Sequence, residues 1–551
     1  MKSRYLSAAV SGLLCGVAYC HSTLSVPAEI MLVAFVPLMW TLFSQIEESS
    51  QSSVVGPLYV CFFVFHGLCN WWISSWQEQT DPYLLASGIA VWLAHPLLLM
   101  LPWLILVWLS KRLSRTATAV LIPVVYTAGE WIHGQTDFSY PWLTVGYSMV
   151  DVPSAQMAEV VGVYGISFAI MAVNTLVYAA LLHRDSAARS AGMLIFAIVL
   201  WVGLSAAGAV RRSSSEWLNK GGGLRVEIVQ PNINPWDKWS APSDQLRIHK
   251  AVSDSLRRDG VRADVSLWSE TAIPYVIRNY RYIADWMDVR RWVDTSGTTL
   301  LTGFADMMVY PDGTAPASAR SLAVATDVKY DHFNAAMVVN PGRTDVPVHR
   351  KTMLTPFAER LPFADQLSFA MKWFEWGVGI SAWGQGRERH PLPVIRNGDT
   401  IARIGTIICI ESIYPDVARD MVNNGADVLA VITNDAWYNG TWGPRQHYDI
   451  ARMRAIEFRR PVVRCANSGV SGIISADGTS EKELPVLRRM ASTVQVRPNN
   501  VQTFYARHGD WLAVACAILS LFAVVIARFS AVLRILPAFL RRQSSNNSVD
   551  A

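Results

Sequence analysis

The sequence predicts a membrane-embedded helical bundle joined to a water-soluble α/β domain. The first reason is its uneven hydropathy. The 551 residues have a mean hydropathy of +0.23 and only 17% charged residues, against about 25% in soluble proteins. The apolar runs lie before residue 210 and after residue 508. The second reason is that the region between them alternates strand-like runs with amphipathic helical segments, which is typical of a layered α/β fold. We therefore divide the chain into a bundle (1–220), a soluble domain (221–500), a last span (505–530) and a tail (531–551).

Membrane spans need about 20 mostly apolar residues each, and we predict about eight of them. They are 5–20, 26–44, 54–73, 84–109, 117–133, 157–182, 191–210 and 508–528. The first span follows Lys2 and Arg4, as in a signal peptide. No clean small-residue cleavage site follows it, so we predict that it is retained. The fifth is the weakest, because Glu130 and His133 lie near its end.

Basic residues in the short loops predict the orientation of the spans. Lys and Arg occur before the first span and after the fourth, sixth and eighth, whereas acidic residues mark the alternate loops. The positive-inside rule then places both termini in the cytoplasm and the large domain on the outer side. Arg211 and Arg212 run against the rule, but they precede a large domain, which is translocated largely regardless of charge.

Aromatic residues cluster at two predicted outer span ends, in NWWISSW (Asn70–Trp76) and SYPWL (Ser139–Leu143). Trp and Tyr favour the membrane–water interface, so an aromatic belt is the simplest interpretation. The alternative is an entrance for lipid. We expect that entrance between the spans and the soluble domain, near Trp142 and Tyr147.

Three predicted strand ends carry side chains suited to acyl chemistry. Glu270 follows the strand in LWSETAIP, Lys351 lies in VHRKTML, and Cys409 ends the strand in IGTIICIES. A carboxylate can take the proton of a thiol, and an ammonium stabilises a thiolate and a developing oxyanion. Singly, each has a structural explanation: a helix cap, a solvated lysine and a packed thiol. Together they suffice for acyl transfer through a thioester.

Four motifs occur in an order that resembles the nitrilase (carbon–nitrogen hydrolase) superfamily and its Glu–Lys–Cys triad. They are SETAIP, RKTMLTPFAERLPF, ICIES and TNDAWYNGTWGPRQHYDIARMRAIEFRRPVVRCANSG. With the preceding spans and YPWLTVGYS, the chain resembles the apolipoprotein N-acyltransferase family of Gram-negative bacteria. The resemblance implies an αββα sandwich on the periplasmic side of the inner membrane. It also implies that the reaction uses neither metal nor organic cofactor.

The resemblance implies a role for each residue that matches a family motif. Glu270 is expected to be the general base, Lys351 the oxyanion and thiolate stabiliser, and Cys409 the nucleophile. The expected supporting residues are Glu359, which orients the lysine, Glu411 just after the cysteine, Asn334 near the site and Trp239 in the lid region. Many members have Tyr after the cysteine, where this chain has Ile410. The backbone N–H of Ile410 can still donate to an oxyanion.

The implied reaction moves an acyl chain from a phospholipid, typically phosphatidylethanolamine, to Cys409. The chain then passes to the α-amino group of an apolipoprotein's diacylglyceryl-cysteine. The expected partners are thus phospholipid, diacylated apolipoprotein and the bilayer. The net charge of +5 includes no basic run interleaved with aromatics, so nucleic acid is not indicated. Two other functions stay open: a membrane-tethered amidase in which water resolves the thioester, and a non-enzymatic scaffold.

Several smaller features have predictions of their own. The seven cysteines show neither metal-ligand spacing nor a disulfide framework, so we expect free thiols. Cys465 is expected to pack in the core and His447 to make a structural bond. NDAWYNG, 434–440, is expected at the edge of the pocket. FEWGVGISAWGQG, Phe374–Gly386, is either a mobile lid or an ordinary surface loop.

Overall fold

The computed structural model describes residues 2–44, 53–74, 82–214, 223–237, 242–311, 313–322, 325–367, 369 and 383–546. Trp76, Trp239 and residues 374–382 of the predicted lid lie outside this part. All secondary-structure elements in the described part of the N-terminal region are helices, and turns and short loops connect them. Its helices are α1 (Lys2–Tyr19), α2 (His21–Leu24), α3 (Val36–Met39), α4 (Val55–Asn70), α5 (Pro82–Leu99), α6 (Leu101–Ser110), α7 (Arg115–His133), α8 (Ala158–Leu182) and α9 (Ala187–Ser213).

Five of the described helical segments are long and apolar enough to cross a membrane. They are Val55–Ser74, Leu84–Ser110, Pro153–Leu182, Ala187–Ser213 and Trp511–Phe529, and they coincide with five of the predicted spans. Two further predicted spans correspond to the helices α1 and α7. The total of eight spans stays a prediction.

The predicted span 26–44 is not a continuous helix. It consists of a 3-10 helix (Ala28–Leu32), α3 and a π-helical turn (Trp40–Ser44), and Pro37, which lacks an N–H, sits at the start of α3. Asn174 of α8 satisfies backbone groups at this break: its Oδ1 accepts from the Phe35 N–H at 2.9 Å and its Nδ2 donates to the Met31 carbonyl at 2.8 Å. Such replacement bonds are what allow irregular backbone inside an apolar bundle.

Helix α8 bends near its start at Gly162, which has φ 65° and ψ 178°. The ring of Tyr505 packs against this residue, and a Cβ there would lie 2.3 Å from it. Both the left-handed backbone and the close approach therefore require glycine. The next N–H, that of Val163, donates to Glu457 in the soluble domain at 2.9 Å. The bend thus joins the bundle to that domain.

The described residues of the soluble domain form two β-sheets. Its elements are β1 (Leu224–Gln230), α10 (Pro242–Arg258), β2 (Val265–Trp268), α11 (Ile283–Ser296), β3 (Thr299–Val309), β4 (Arg320–Leu322), β5 (Ala325–Val339), β6 (Val348–Arg350), β7 (Leu392–Arg396), β8 (Asp399–Ile408), α12 (Pro415–Asn423), β9 (Val428–Thr433), α13 (Gly443–Phe458), β10 (Val462–Ala466), β11 (Gly472–Ile474), β12 (Ser480–Glu483) and β13 (Met490–Val496). Two helices complete the chain: α14 (Phe504–His508) and α15 (Trp511–Asn546). Helix α15 continues into the segment predicted as a tail.

The strand order shows how the sheets are built. One sheet has the order β13-β1-β2-β3-β5-β4, with β6 also paired to β5, and the other has the order β12-β11-β10-β9-β8-β7. The central neighbours β1–β2, β2–β3, β8–β9 and β9–β10 are parallel. Parallel strands end at the same edge of their sheet, which is where sites form in such folds.

Three apolar layers confirm the predicted αββα sandwich. The faces of the two sheets share one buried cluster that includes Ile228, Leu267, Ile404 and Ile432. The outer face of the first sheet packs on α10 and α11, and that of the second packs on α12, α13 and α14. Continuous buried strands of this kind are expected when helices cover both outer faces.

The soluble domain contacts one end of the bundle. The contacts involve the C-terminal ends of α1, α4 and α9 and the N-terminal half of α8. For example, Ser22 donates to Asp449 at 2.7 Å, Gly443 lies against the Trp72 ring, and Arg212 donates to Thr479 at 2.7 Å. Chain direction then places the start of α1 and the end of α15 away from the domain.

Candidate active site

The three predicted catalytic side chains follow strands that end near one another. Glu270 comes two residues after β2, Lys351 directly after β6, and Cys409 directly after β8. The first two strands belong to one sheet and β8 to the other, so the site lies at a shared edge of the sandwich. The electrostatic fields of both Glu270 and Lys351 reach the Cys409 thiol.

A buried cluster of charges surrounds Lys351. Its Nζ lies 2.9 Å from the Glu359 carboxylate and 3.3 Å from Glu270 Oε1. Asn334, on β5, donates through its Nδ2 to Glu270 Oε1 at 2.7 Å and to Glu359 Oε1 at 3.1 Å. The backbone N–H of Asn434 donates to Glu270 Oε2 at 2.9 Å. The structure therefore brings Glu270, Lys351, Glu359 and Asn334 together.

The cluster fixes its own protonation state. Burial lowers the pKa of the Lys351 ammonium, but Glu359 and Glu270 outweigh burial, so this pKa lies above its ordinary value. Burial raises the pKa of Glu359, but Lys351 outweighs it, so this pKa lies below its ordinary value. Opposite charges at this distance favour the ionised forms. Lys351 is therefore a cation and cannot act as the base.

Cys409 sits in a strained turn. Its φ of 50° lies in the left-handed region, which costs a residue with a Cβ about 1–2 kcal/mol. Burial, and then the Glu270 charge, raise the pKa of its thiol well above the ordinary value, although Lys351 opposes them. The thiol is thus neutral at rest and needs a base when it attacks. Backbone strain held at a reactive residue is typical of functional sites.

Glu411 ties the cysteine turn to the lysine strand. One carboxylate oxygen accepts from the N–H and the hydroxyl of Thr352 at 2.7 and 2.8 Å. The other accepts from the Ile408 N–H at 2.8 Å and from His349 Nε2 at 3.2 Å. Burial alone would raise the pKa of Glu411. His349 and these donors outweigh burial and lower this pKa to about 2. Its geometry is that of a clamp between the residues that flank Lys351 and Cys409.

A hydrogen-bonded network beneath Cys409 was not predicted from the sequence. Thr433, the last residue of β9, lies beside Cys409 because the parallel strands β8 and β9 pair Ile408 with Ile432, and its hydroxyl donates to Asp435 Oδ1 at 2.9 Å. His447 Nδ1 lies 3.0 Å from the same Asp435 oxygen. Its Nε2 lies 3.1 Å from the Cys409 carbonyl oxygen. The available signal was the motif TNDAW, which places Thr433 and Asp435 at a strand end.

The loop between α7 and α8 brings two predicted residues to this network. Trp142 is buried, with its ring 5.4 Å from that of His447, and its Nε1 donates to Gln446 at 2.8 Å. Tyr147 is also buried, and its hydroxyl donates to the Ile413 carbonyl at 3.0 Å. Both lie between the bundle and the catalytic domain. They are closed in by packing and do not line an open mouth.

Trp72 differs from the aromatic-belt interpretation. It is only 3% exposed, and its ring lies 5.1 Å from Trp142 and 4.8 Å from Tyr438. It therefore packs inside the junction and does not face lipid. Cys465 is buried in the core, as predicted, and all seven cysteines lie in the described part as free thiols.

The described end of the predicted lid is bonded to the charged cluster. The Trp383 N–H donates to the Glu359 carbonyl at 3.1 Å, and the Gly386 N–H donates to the Lys351 carbonyl at 2.8 Å. A Cβ at Gly386 would lie 2.1 Å from the Arg350 carbonyl oxygen. This end is therefore held close to both residues.

Comparisons with known proteins agree with this architecture. Residues 225–505 match the carbon-nitrogen hydrolase family model, and residues 9–176 match the model of the apolipoprotein N-acyltransferase N-terminal domain. The apolipoprotein N-acyltransferase of Chlorobaculum tepidum is 32% identical over 540 residues, which cover 94% of this chain and 96% of that one. The chain belongs to the apolipoprotein N-acyltransferase family. The Geobacter metallireducens member is 26% identical over 524 residues, 93% of each chain.

Membership of the apolipoprotein N-acyltransferase family confirms two predictions. The soluble domain has the carbon–nitrogen hydrolase fold, and the protein is an acyltransferase. The apolar helices of the N-terminal region make it a membrane protein. The roles of individual residues rest on the geometry of the site.

Proposed function

We propose that this protein transfers a fatty acyl chain from a membrane phospholipid to the α-amino group of a lipoprotein's diacylglyceryl-cysteine, through a thioester on Cys409. The main support for this proposal is the position of the site. A buried base and cation and a partly buried thiol lie where the catalytic domain meets the apolar bundle, and Trp142 and Tyr147 join the two. Substrates anchored by acyl chains can reach a soluble site only at such a junction.

In the first half-reaction Glu270 takes the Cys409 proton as the sulfur attacks the ester carbonyl of the phospholipid. A carboxylate is needed here because the resting thiol is neutral, as the raised pKa of Cys409 indicates. The Lys351 ammonium and the backbone N–H of Ile410 stabilise the oxyanion. The carbon–oxygen bond then breaks, and Glu270 returns the proton to the leaving lysophospholipid alkoxide. A thioester and a charged Glu270 remain.

In the second half-reaction the lipoprotein's neutral amine attacks the thioester carbonyl. Glu270 takes a proton from the amine as the carbon–nitrogen bond forms. The carbon–sulfur bond breaks, and Glu270 gives the proton back to the thiolate. The products are an amide and the original thiol. Glu359 and Asn334 hold Lys351 and Glu270 in register throughout, through the bonds described above.

The proposed location is a bacterial inner membrane with the catalytic domain in the periplasm. Basic loops at the predicted inner ends of the spans support this orientation. The arrangement of the helix ends also supports it, because the domain contacts the C-terminal ends of α1, α4 and α9. An inner N-terminus and an outer domain require contacts at these ends.

A product assay tests the transfer. The purified full chain in mixed micelles would be given phosphatidylethanolamine with a labelled acyl chain and a diacylated lipopeptide. We expect the label in an amide on the lipopeptide. Cys409→Ala should abolish this product, whereas Cys465→Ala, which removes a buried thiol of the same domain, should retain it. Labelled free fatty acid alone, or ammonia release from small amides, would instead support the membrane-tethered amidase.

The same assay tests the alternative that the protein is a non-enzymatic scaffold. A scaffold would give no labelled product with the unaltered chain, and Cys409→Ala would not change its behaviour in cells. Label transfer that persisted in Cys409→Ala would contradict the proposed nucleophile.

A further inference from the structure

Cys409 keeps its strained turn because two groups hold its backbone carbonyl. The Ser412 hydroxyl donates to that oxygen at 3.0 Å, and His447 Nε2 lies 3.1 Å from it. The Ser412 hydroxyl also lies 2.8 Å from His447 Nε2. A left-handed residue with a side chain persists only where its surroundings determine its conformation. The His447 ring is therefore part of what determines the conformation of Cys409.

The His447 ring is itself fixed from the other side. Its Nδ1 accepts from Arg464 Nη2 at 3.0 Å and lies 3.0 Å from Asp435 Oδ1, and the same Arg464 Nη2 donates to Asp435 at 2.6 Å. All three side chains are buried. The hydrogen bond at one ring nitrogen sets the tautomer of an imidazole, so an Nδ1 that accepts from Arg464 leaves the proton on Nε2, which faces the Cys409 carbonyl. The Trp142 ring lies 5.4 Å from the His447 ring, so the bundle also restrains it.

Asp435 reaches the Cys409 thiol by a second route. It accepts from the Thr433 hydroxyl at 2.9 Å, and Thr433 lies beside Cys409. The parallel register of β8 and β9 pairs Ile408 with Ile432, so the next residues, Cys409 and Thr433, are neighbours. Backbone and sulfur of the nucleophile therefore both depend on one aspartate.

We propose that Asp435 and His447 are positioning residues for the nucleophile: they hold the left-handed backbone of Cys409 and, through Thr433, the orientation of its thiol. This role rests on the proposed role of Cys409. Asp435 acts through His447 and Thr433, and His447 acts through the peptide of Cys409. The network thus extends the site beyond the glutamate, lysine and cysteine predicted from the motifs.

Alkylation of Cys409 by iodoacetamide, followed by peptide-resolved mass spectrometry across a range of pH, tests the link to the thiol. The charged groups that act on the thiol are Glu270, Lys351 and Asp435. Asp435→Asn removes a negative charge and frees the Thr433 hydroxyl, so the pH of half-maximal alkylation should fall by about one unit. In the Asp435→Asn background the freed Thr433 hydroxyl can donate to the thiolate, so adding Thr433→Val should raise the midpoint again. Adding Thr433→Ser instead should leave the midpoint of Asp435→Asn unchanged.

Asp264→Asn is the matched control. Asp264 is a buried aspartate of the same domain that pairs with Arg396, but it directly precedes β2, at the far end of that strand from Glu270. Its removal should leave the Cys409 midpoint unchanged. Shifts of Asp435→Asn and of the added Thr433→Val in the same direction, or no shift in either, would overturn the proposal. Alkylation needs no lipid substrate, so a failure of acyl transfer would leave this titration readable.

A kinetic split tests the link to the backbone. His447→Ala should slow thioester formation roughly 10- to 100-fold, as expected for a misplaced nucleophile. The phospholipid concentration for half-saturation should not change, because His447 does not hold the lipid. His447→Gln, which keeps an N–H donor, should recover part of the rate. A rise in the half-saturating concentration with an unchanged maximal rate would show a substrate-binding role instead.

Discussion

The active site has two halves that are held in different ways. The charged half consists of Glu270, Asn334, Lys351 and Glu359, whose side chains bond to one another. The nucleophile half consists of Cys409, Thr433, Asp435 and His447, and it holds a strained backbone turn. In the first half the ionised forms stabilise each other, whereas in the second the reactive group is kept neutral. The base is thus ready before substrate arrives, and the thiol reacts only when the base acts.

Removing the cation should have the largest effect on the charged half. Lys351→Met leaves Glu270 and Glu359 buried without their shared partner, and it should lower the free energy of unfolding by about 3–5 kcal/mol. Acyl transfer should be lost as well. Chemical denaturation and the labelled-acyl assay measure the two effects.

A double variant separates charge from packing in the same half. Glu359→Gln in the Lys351→Met background removes one uncompensated charge, so part of the lost stability should return, without activity. If the double variant is no more stable than Lys351→Met, the charged half is not held by mutual neutralisation.

Glu411 joins the two halves, and its substitution should have the next largest effect on stability. Its pKa is lowered to about 2, whereas an unfolded glutamate titrates near 4.3. Its charge therefore contributes stability above about pH 4.3, and this contribution is lost as pH falls through about 2. Glu411→Gln should cost about 3 kcal/mol at neutral pH, and the difference from the unaltered protein should shrink as the solution is acidified towards pH 2.

Denaturation of both proteins over a range of pH measures this difference. Glu483→Gln is a suitable control, because this exposed carboxylate pairs with Arg445 at the surface, where ion pairs contribute little. A stability difference for Glu411→Gln that does not depend on pH would show that its charge is not what joins the halves.

Backbone strain gives the smallest effect, and it is confined to the nucleophile half. Cys409→Gly should be more stable than Cys409→Ala by roughly 1 kcal/mol, because glycine adopts the left-handed conformation without cost. Cys465, inside strand β10, gives the reverse case: Cys465→Gly should be less stable than Cys465→Ala. Equal stability of the two Cys409 variants would show that the left-handed backbone at Cys409 carries no strain.

Glu270, Lys351 and Cys409 were predictable from sequence because each lies at the end of a predicted strand. Glu270 and Cys409 stand out further because each follows an apolar run. The family resemblance carried by the four motifs then implied the sandwich fold. Glu359 and Asn334 came from the family resemblance, since nothing in their own spacing points to Lys351.

The support of the nucleophile was not predictable in the same way. Thr433 lies beside Cys409 only because β8 and β9 pair in one particular register, and His447 reaches the turn from the start of α13. His447 was predicted to make a structural bond, but its partner, the Cys409 carbonyl, could not be predicted. Likewise the burial of Trp72 depends on the packing of α4 against the catalytic domain. Such contacts join segments far apart in the chain.

We propose that the acyl chain passes through Cys409, and peptide-resolved mass spectrometry of the full chain can detect it there. After incubation with phosphatidylethanolamine alone, we expect one acyl group in thioester linkage on the Cys409 peptide. Adding diacylated lipopeptide should remove the adduct and yield an equal amount of amide. Glu270→Gln should give little adduct. Amide formed with no acyl group ever found on Cys409, or with the adduct on another residue, would rule out Cys409 as the acyl carrier.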